Sequence, residues 1–180
     1  QDEVEWDDLR LRAGLRFEYF DARSVIPSDL ANPANSIPGA PPSTLAPTTK
    51  KISLAPRIGV SYPIGGRASA FFAYSHSYQM PALKDVFGNA NYDVLADLTS
   101  GEEFEPVGNP DIRPERTVQY QFGYRQIVNE WVGLDVNAFY KDIRDLIGTE
   151  FIYTYNDALY SRLANVDFGN VLGFTVSMDH

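Results

Sequence analysis

Along LRLRAGLRFEYF, residues Leu9 to Phe20, apolar and polar side chains alternate without a break. Leu9, Leu11, Ala13, Leu15, Phe17 and Tyr19 share one parity, and Arg10, Arg12, Gly14, Arg16 and Glu18 share the other. Successive side chains of a strand point to opposite faces, whereas a helix started at Leu9 would carry Arg12, Ala13 and Arg16 on its apolar stripe. The segment is therefore a strand with one greasy face and one wet face.

The pattern recurs down the chain. Ile52, Leu54, Pro56, Ile58 and Val60 oppose Ser53, Ala55, Arg57, Gly59 and Ser61, and a weaker alternation over 68–79 favours Ala70, Phe72, Tyr74 and Tyr78. Val118, Tyr120, Phe122 and Tyr124 oppose Gln119, Gln121, Gly123 and Arg125. Leu134, Val136, Ala138 and Tyr140 form the next apolar set, and Leu172, Phe174, Val176 and Met178 the last. With 11 Tyr, 11 Phe, 13 Gly and 12 Pro, the composition is that of an all-β chain.

The connections alternate in length. WDD, PIGG and VNEW are tight, whereas Asp21 to Lys51 and Met80 to Arg116 are long and without periodicity, and Gly148 to Ser161 is of moderate length. Strands of about ten residues joined by short turns at one end and long loops at the other are the signature of an outer-membrane barrel. No run of 18 apolar residues occurs, which excludes a transmembrane helix and says nothing about barrel strands. Three arginines on one strand suit a wet interior, since each would cost about 2–4 kcal/mol at the lipid midplane. Tyr19, Phe20, Tyr62, Tyr74, Tyr78, Trp131 and Tyr140 are placed near strand ends, as interfacial girdles require. A soluble sandwich with one solvated face shows the same alternation and stays open on these grounds alone. The formal charge of −9 argues against nucleic acid, and the lack of cysteine removes disulfides and thiolate metal sites.

The segment GNPDIRPERTVQYQFGYRQ resembles the Gly-Asn-Pro-x-hydrophobic-x-Pro-Glu stretch that precedes a barrel strand in TonB-dependent outer-membrane receptors. FFAYSHSYQMPAL is similar to the strand and loop entry before it, and LDVNAFYKDIRDLIG to the strand after it. QDEVEWDDLRLRAGLRFEYFD resembles members with a carboxypeptidase-regulatory-like N-terminal domain. The resemblance implies an antiparallel meander of about six to seven strands over residues 1–180, part of a transmembrane barrel of about 22 strands closed by a plug. It implies an energised receptor that takes up a large nutrient such as a siderophore, glycan or peptide at the outer membrane of a Gram-negative-type bacterium, and not an enzyme. Its partners would be outer-membrane lipid, an extracellular ligand and the TonB complex, the last through a plug expected outside this stretch, as are the closing strands. A piece of this kind, taken alone, is expected to aggregate in water. A passive porin or adhesion barrel and a soluble carbohydrate-binding sandwich are the alternatives.

On this reading Leu9, Leu11, Leu15, Phe17, Ile58, Val60, Tyr120, Phe122, Leu134, Val136, Phe174 and Val176 face lipid. Arg10, Arg12, Arg16, Glu18, Arg57 and Arg125 face the lumen, where they contact a plug or pair among themselves. Gly108, Asn109, Pro110, Pro114 and Glu115 are structural: the prolines remove ladder donors so that pairing starts near Thr117, and Glu115 engages Arg113, Arg116 or a neighbouring loop. Phe87, Tyr92, Phe104, Tyr153 and Tyr155 are loop aromatics that could stack on a ligand ring or pack within the loops. No nucleophile, cofactor or metal constellation emerges. Asp93, Asp97, Glu102, Glu103 and Glu105 lack the spacing of a calcium loop, and His76 and His180 stand apart.

Overall fold

The computed structural model describes residues 2–6, 8–97 and 105–179. The alternating segments become β1 (Asp2–Trp6), β2 (Leu9–Phe20), β5 (Lys51–Ile64), β6 (Ala68–Gln79), β7 (Glu115–Ile127), β8 (Gly133–Tyr153) and β9 (Leu159–Asp179). Among the described residues they form one sheet of seven strands in the order β1-β2-β5-β6-β7-β8-β9, every neighbouring pair antiparallel. This is a meander, the arrangement that short turns between consecutive strands dictate.

Register carries the apolar parity unbroken across the sheet. Leu11 pairs with Val60, Val60 with Phe72, Phe72 with Phe122, Phe122 with Ala138 and Ala138 with Phe174. Directly paired residues share a face, so one face collects Leu15, Phe17, Ile58, Phe122, Phe174 and their neighbours while the other collects Arg10, Arg12, Arg57, Arg125, Gln119 and Gln121. Those apolar side chains are uncovered: Leu172 is 80% exposed and Phe174 78%.

Two glycines on the polar face shape that surface. Phe71 pairs with Gly123 and Phe139 with Gly173, and each ring lies over the glycine opposite it. A methyl group at Gly123 would enter the Phe71 ring and crowd Asn137 Oδ1. Gly123→Val is expected to destabilise the intact protein by about 1–3 kcal/mol, the cost of overpacking, with partial recovery in Gly123→Val/Phe71→Ala. Thermal unfolding in detergent would check both, and full stability of Gly123→Val would contradict the ring placement.

The connections depart from the sequence reading. The stretch from Asp21 to Lys51 contains a small hairpin, β3 (Val25–Pro27) with β4 (Leu45–Pro47), and β5 already begins at Lys51. Its Pro-rich middle is organised by buried Asn32, whose Nδ2 donates to Pro41 O at 2.9 Å and whose Oδ1 accepts from Ile37 N at 3.3 Å. The connection after Met80 contains helix α1 (Leu83–Phe87) and a 3-10 turn at Tyr92–Leu95, and β7 starts at Glu115 rather than Thr117. The moderate loop from Gly148 to Ser161 is instead a hairpin: β8 and β9 are 21 residues each and leave only 154–158 between them. Tyr74 and Tyr140 stand inside strands, not at their ends.

Candidate functional site

The long connections gather at one end of the sheet, and GNPDIRPE is the knot among them. Gly108 N donates to Gly88 O at 2.5 Å and Asn109 N to Asp85 O at 2.9 Å, so the motif satisfies carbonyls at the C-terminal end of α1. Only glycine allows this approach: a methyl group at Gly108 would lie 2.6 Å from Gly88 O and 3.1 Å from Asp85 O, both backbone atoms. Pro110 and Ile112 are fully buried, and Asn109 Oδ1 accepts from Asp111 N at 2.9 Å in a local turn. Val107 bridges in parallel to Arg162 of β9.

The remaining residues of the motif reach three strands. Asp111 accepts from Thr49 N and Oγ1 at 2.7 and 2.6 Å and pairs with the buried Lys51 ammonium, fixing the start of β5. Arg113 pairs with Asp145 at 2.7 Å. Its backbone N–H donates to Asn165 Oδ1 at 2.8 Å, while Asn165 Nδ2 donates to Arg113 O at 2.9 Å and Asp145 O at 2.8 Å. Asp145 sits at a bulge where the β8/β9 register shifts, with φ at +62°. Glu115 Oε1 accepts from Ile147 N at 3.1 Å beside that bulge, so of the partners the sequence offered, Arg113, Arg116 or a neighbouring segment, it takes the neighbouring segment. The bulge leaves backbone groups without ladder partners, and Asn165 and Glu115 supply them.

Burial alone would raise the Asp111 carboxyl, but the hydrogen bonds from Lys51 and Thr49, with the Lys51 charge, hold it below the usual carboxylate range. The lowered value means that the contact stabilises the fold above the ordinary aspartate range and is lost as the pH falls through the folded value. Corrected for its intrinsic pH dependence, hydrogen exchange at residues 49–51 is therefore expected to be flat from neutral pH down to about pH 5 and to rise only under stronger acid. Asp111→Asn should show the raised exchange at neutral pH. A transition near pH 6 would assign the tether to another group.

Above the motif lies a small apolar core of Tyr92, Leu95, Val107, Ala158 and Tyr160, with Leu30 and Ile152 against it. Tyr160 Oη donates to Leu30 O at 2.8 Å, and Tyr155 Oη donates to Asp29 Oδ2 at 3.1 Å. Both contacts tie the β8/β9 hairpin to the first long connection. This places the aromatic candidates differently from one another. Tyr92 is buried, which raises its pKa, and it packs in this core instead of offering a ring to a ligand. Phe87, Tyr153 and Tyr155 are exposed, and Phe104 lies outside the described residues, as do Glu102, Glu103 and His180. His76 Nε2 is 2.6 Å from Tyr74 Oη. Among the described residues, no three His, Asp or Glu side chains converge as metal ligands.

On the polar face of the sheet the charged residues pair along and across strands. Arg16 meets Glu18 at 2.5 Å, Arg10 meets Glu5 at 3.1 Å and Arg125 meets its register partner Asp135 at 2.8 Å. Arg12 and Arg57 flank a shallow hollow floored by Gly14, Ala55, Gly59 and Ala73.

On the apolar face the greasy band ends at different heights across the sheet, with β2 and β5 sharing one level and β8 and β9 another. Beyond Tyr19 on β2 and Ile52 on β5 the next residues of that parity are Asp21 and Lys50. On β7 the band ends at Val118, followed by Arg116, and on β8 at Tyr140, followed by Asp142 and Arg144. On β9 Leu172 gives way to Asn170. Through the register Leu172, Tyr140, Tyr120 and Tyr74 align with Ile58, six residues along β5 from Ile52. The edge of the band is a staircase.

A protein-family model described as TonB dependent receptor-like, beta-barrel, matches residues 1–179. No curated protein sequence matches significantly. Among solved structures, the fold is similar to the FrpB iron transporter of Neisseria meningitidis, F3-3 variant, with TM-score 0.58, 14% identity, and coverage of 98% of this chain and 22% of that one. It is similar to the G324V mutant of the ferric enterobactin receptor PfeA of Pseudomonas aeruginosa, with TM-score 0.56, 16% identity, and coverage of 94% and 30%. The copper transporter OprC aligns with TM-score 0.52, 15% identity, and coverage of 96% and 24%. The chain thus spans less than a third of the length of these structures.

Proposed function

Because the chain belongs to the TonB-dependent receptor-like β-barrel family, we propose that it forms part of the wall of an outer-membrane receptor driving energised uptake of a large nutrient through TonB. The staircase carries this reading. From β2 to β9 the apolar edge retreats by six residues over five strand spacings, roughly 20 Å along the strands against 24 Å across them, a slope of about 40°. Barrel strands tilt by about 35–45° from the membrane normal, so a band parallel to the membrane must climb across the strands by that amount. A soluble sandwich has no reason to shift its apolar band in this way.

The apolar face then meets lipid, the arginine face meets the lumen, and the knotted loops stand on the extracellular side with the tight turns in the periplasm. Exposed Phe87, Tyr153 and Tyr155 are the loop aromatics available to an incoming ligand. A plug and a carboxypeptidase-regulatory-like N-terminal domain complete the receptor on this reading. The names of the solved neighbours include copper, iron and enterobactin, which supports scarce nutrients as the cargo class without choosing among them.

Uptake of labelled copper, haem and ferric siderophore, measured in paired strains with and without TonB, tests the proposal. One cargo should accumulate only when both the intact receptor and TonB are present. Accumulation that persists without TonB would make the barrel a passive channel.

A further inference from the structure

One seam of the sheet is open. β5 pairs with β2 as far as Lys51 and β6 pairs with β7 as far as Gln79, yet the ladder between β5 and β6 runs only from Ile64/Ala68 to Arg57/Ser75. Pro56, just past the last pair, has no N–H to offer where the seam opens. The gap ends in a pocket lined by Lys50, Lys51, Arg113 and Arg116, with Tyr78 and Asp145 among its walls.

The cations of this pocket are not equally occupied. Lys51 is held by Asp111 and Arg113 by Asp145, and Asp21 is near enough to feel the Lys50 charge. Arg116 Nε is buried with no hydrogen-bond partner, and neither Arg116 nor Lys50 has an ion pair among the described residues. A guanidinium N–H left without an acceptor is costly, and a guanidinium is shaped to hold a phosphate through paired bonds. Arg116 lies on the apolar face, directly beyond Val118, with Tyr78 and Arg144 as its register partners. The pocket therefore sits at the edge of the apolar band on the loop side, in a chain whose net charge is −9.

Resting on the lipid-facing assignment proposed above, we infer that this cleft binds a phosphate of an outer-leaflet glycolipid, with Arg116 and Lys50 as its principal ligands. Its position on the face that meets lipid, at headgroup height, selects a membrane phosphate over an anion in the lumen. Ile52 and Tyr78 supply the apolar and amphipathic surface for the lipid body below.

Native mass spectrometry of the intact receptor, titrated with bis-phosphorylated lipid A, its dephosphorylated form and inorganic phosphate, tests the site. The phosphorylated lipid should bind, the dephosphorylated lipid should bind about thirtyfold more weakly, and inorganic phosphate should not compete at equal concentration; each cation is worth about fivefold at an anionic surface. Lys50→Gln, at an exposed position outside the strands, should lose about fivefold, and Lys50→Gln/Arg116→Gln about thirtyfold. Equal binding of the two lipids, or full competition by inorganic phosphate, would overturn the inference. A fluorophore on Phe168→Cys, beside Arg144 on the same face, separates the two readings through quenching by brominated lipid. Quenching at headgroup depth without phosphate-dependent binding defeats the phosphate site alone, whereas no quenching at all defeats the lipid-facing assignment.

Discussion

Leu15→Arg is expected to abolish assembly of the intact receptor into the outer membrane, while Arg12→Leu on the same strand leaves it nearly unchanged. Leu15 is 67% exposed on the apolar face of β2 and lies inside the band bounded by Leu9 and Tyr19. An arginine at such a depth costs about 2–4 kcal/mol, a large share of the net stability of an ordinary domain. Phe122→Arg should behave as Leu15→Arg does, because its row through Val60, Phe72, Ala138 and Phe174 is apolar from end to end. Arg12 is on the opposite face, where leucine loses polar contacts but, on the proposed facing, meets no lipid. The heat-modifiable folded band on gels reports assembly directly. Equal tolerance of Leu15→Arg and Arg12→Leu would mean that neither face is buried in lipid.

Asn165→Ala should release the knotted loops while sparing the sheet. Its amide makes three hydrogen bonds, two to the backbone of Arg113 and one to Asp145 O at the bulge, and alanine can replace none of them. At about 0.5–1.5 kcal/mol each, with a further cost if the freed groups stay dry, the loss is about 2–4 kcal/mol, confined to the loop end. Limited proteolysis in detergent should cut the connection between Gln79 and Glu115 faster in Asn165→Ala, with β-sheet content intact. Asn165→Asp should recover the bond from Arg113 N but not the two that need an amide donor. Unchanged proteolysis would show that Gly108, Asp111 and Glu115 hold the motif without Asn165.

These two expectations come from different levels of information. The first was legible in the sequence, because period-two alternation assigns faces residue by residue, and register then has only to carry that parity from strand to strand. The second was not legible. GNPDIRPE is visible as a stiff polar segment, but its partners lie far along the chain, Asp111 to Lys51 and Arg113 to Asn165, and pairing over such distances leaves no local trace. One sign of the bulge was nevertheless present. The apolar parity is even at Leu134, Val136, Ala138 and Tyr140 and becomes odd at Ile147, Phe151 and Tyr153, and such a switch within one continuous strand requires an inserted residue. The moderate loop was misread for the same reason, since the broken alternation looks like the end of a strand. Tyr92 shows a third limit: an aromatic in a long connection fits ligand stacking or packing within the loops, and only the core formed by Leu95, Val107, Ala158 and Tyr160 around it decides for packing.

The central claim, that this sheet is a membrane wall tilted by the slope of its own apolar edge, is tested most directly by spin-label accessibility. Labels at each position from Arg116 to Gln126 of β7 and from Leu134 to Arg144 of β8, in the intact receptor in bilayers, would be exposed to oxygen and to a water-soluble nickel complex. Oxygen accessibility should peak at Tyr120, Phe122 and Tyr124 and at Leu134, Val136 and Ala138, with the nickel complex taking over by Arg116 and Asp142. The crossover should come one register step earlier on β8 than on β7. A profile without period two, or with oxygen favouring Gln119, Gln121 and Gly123, would contradict the account.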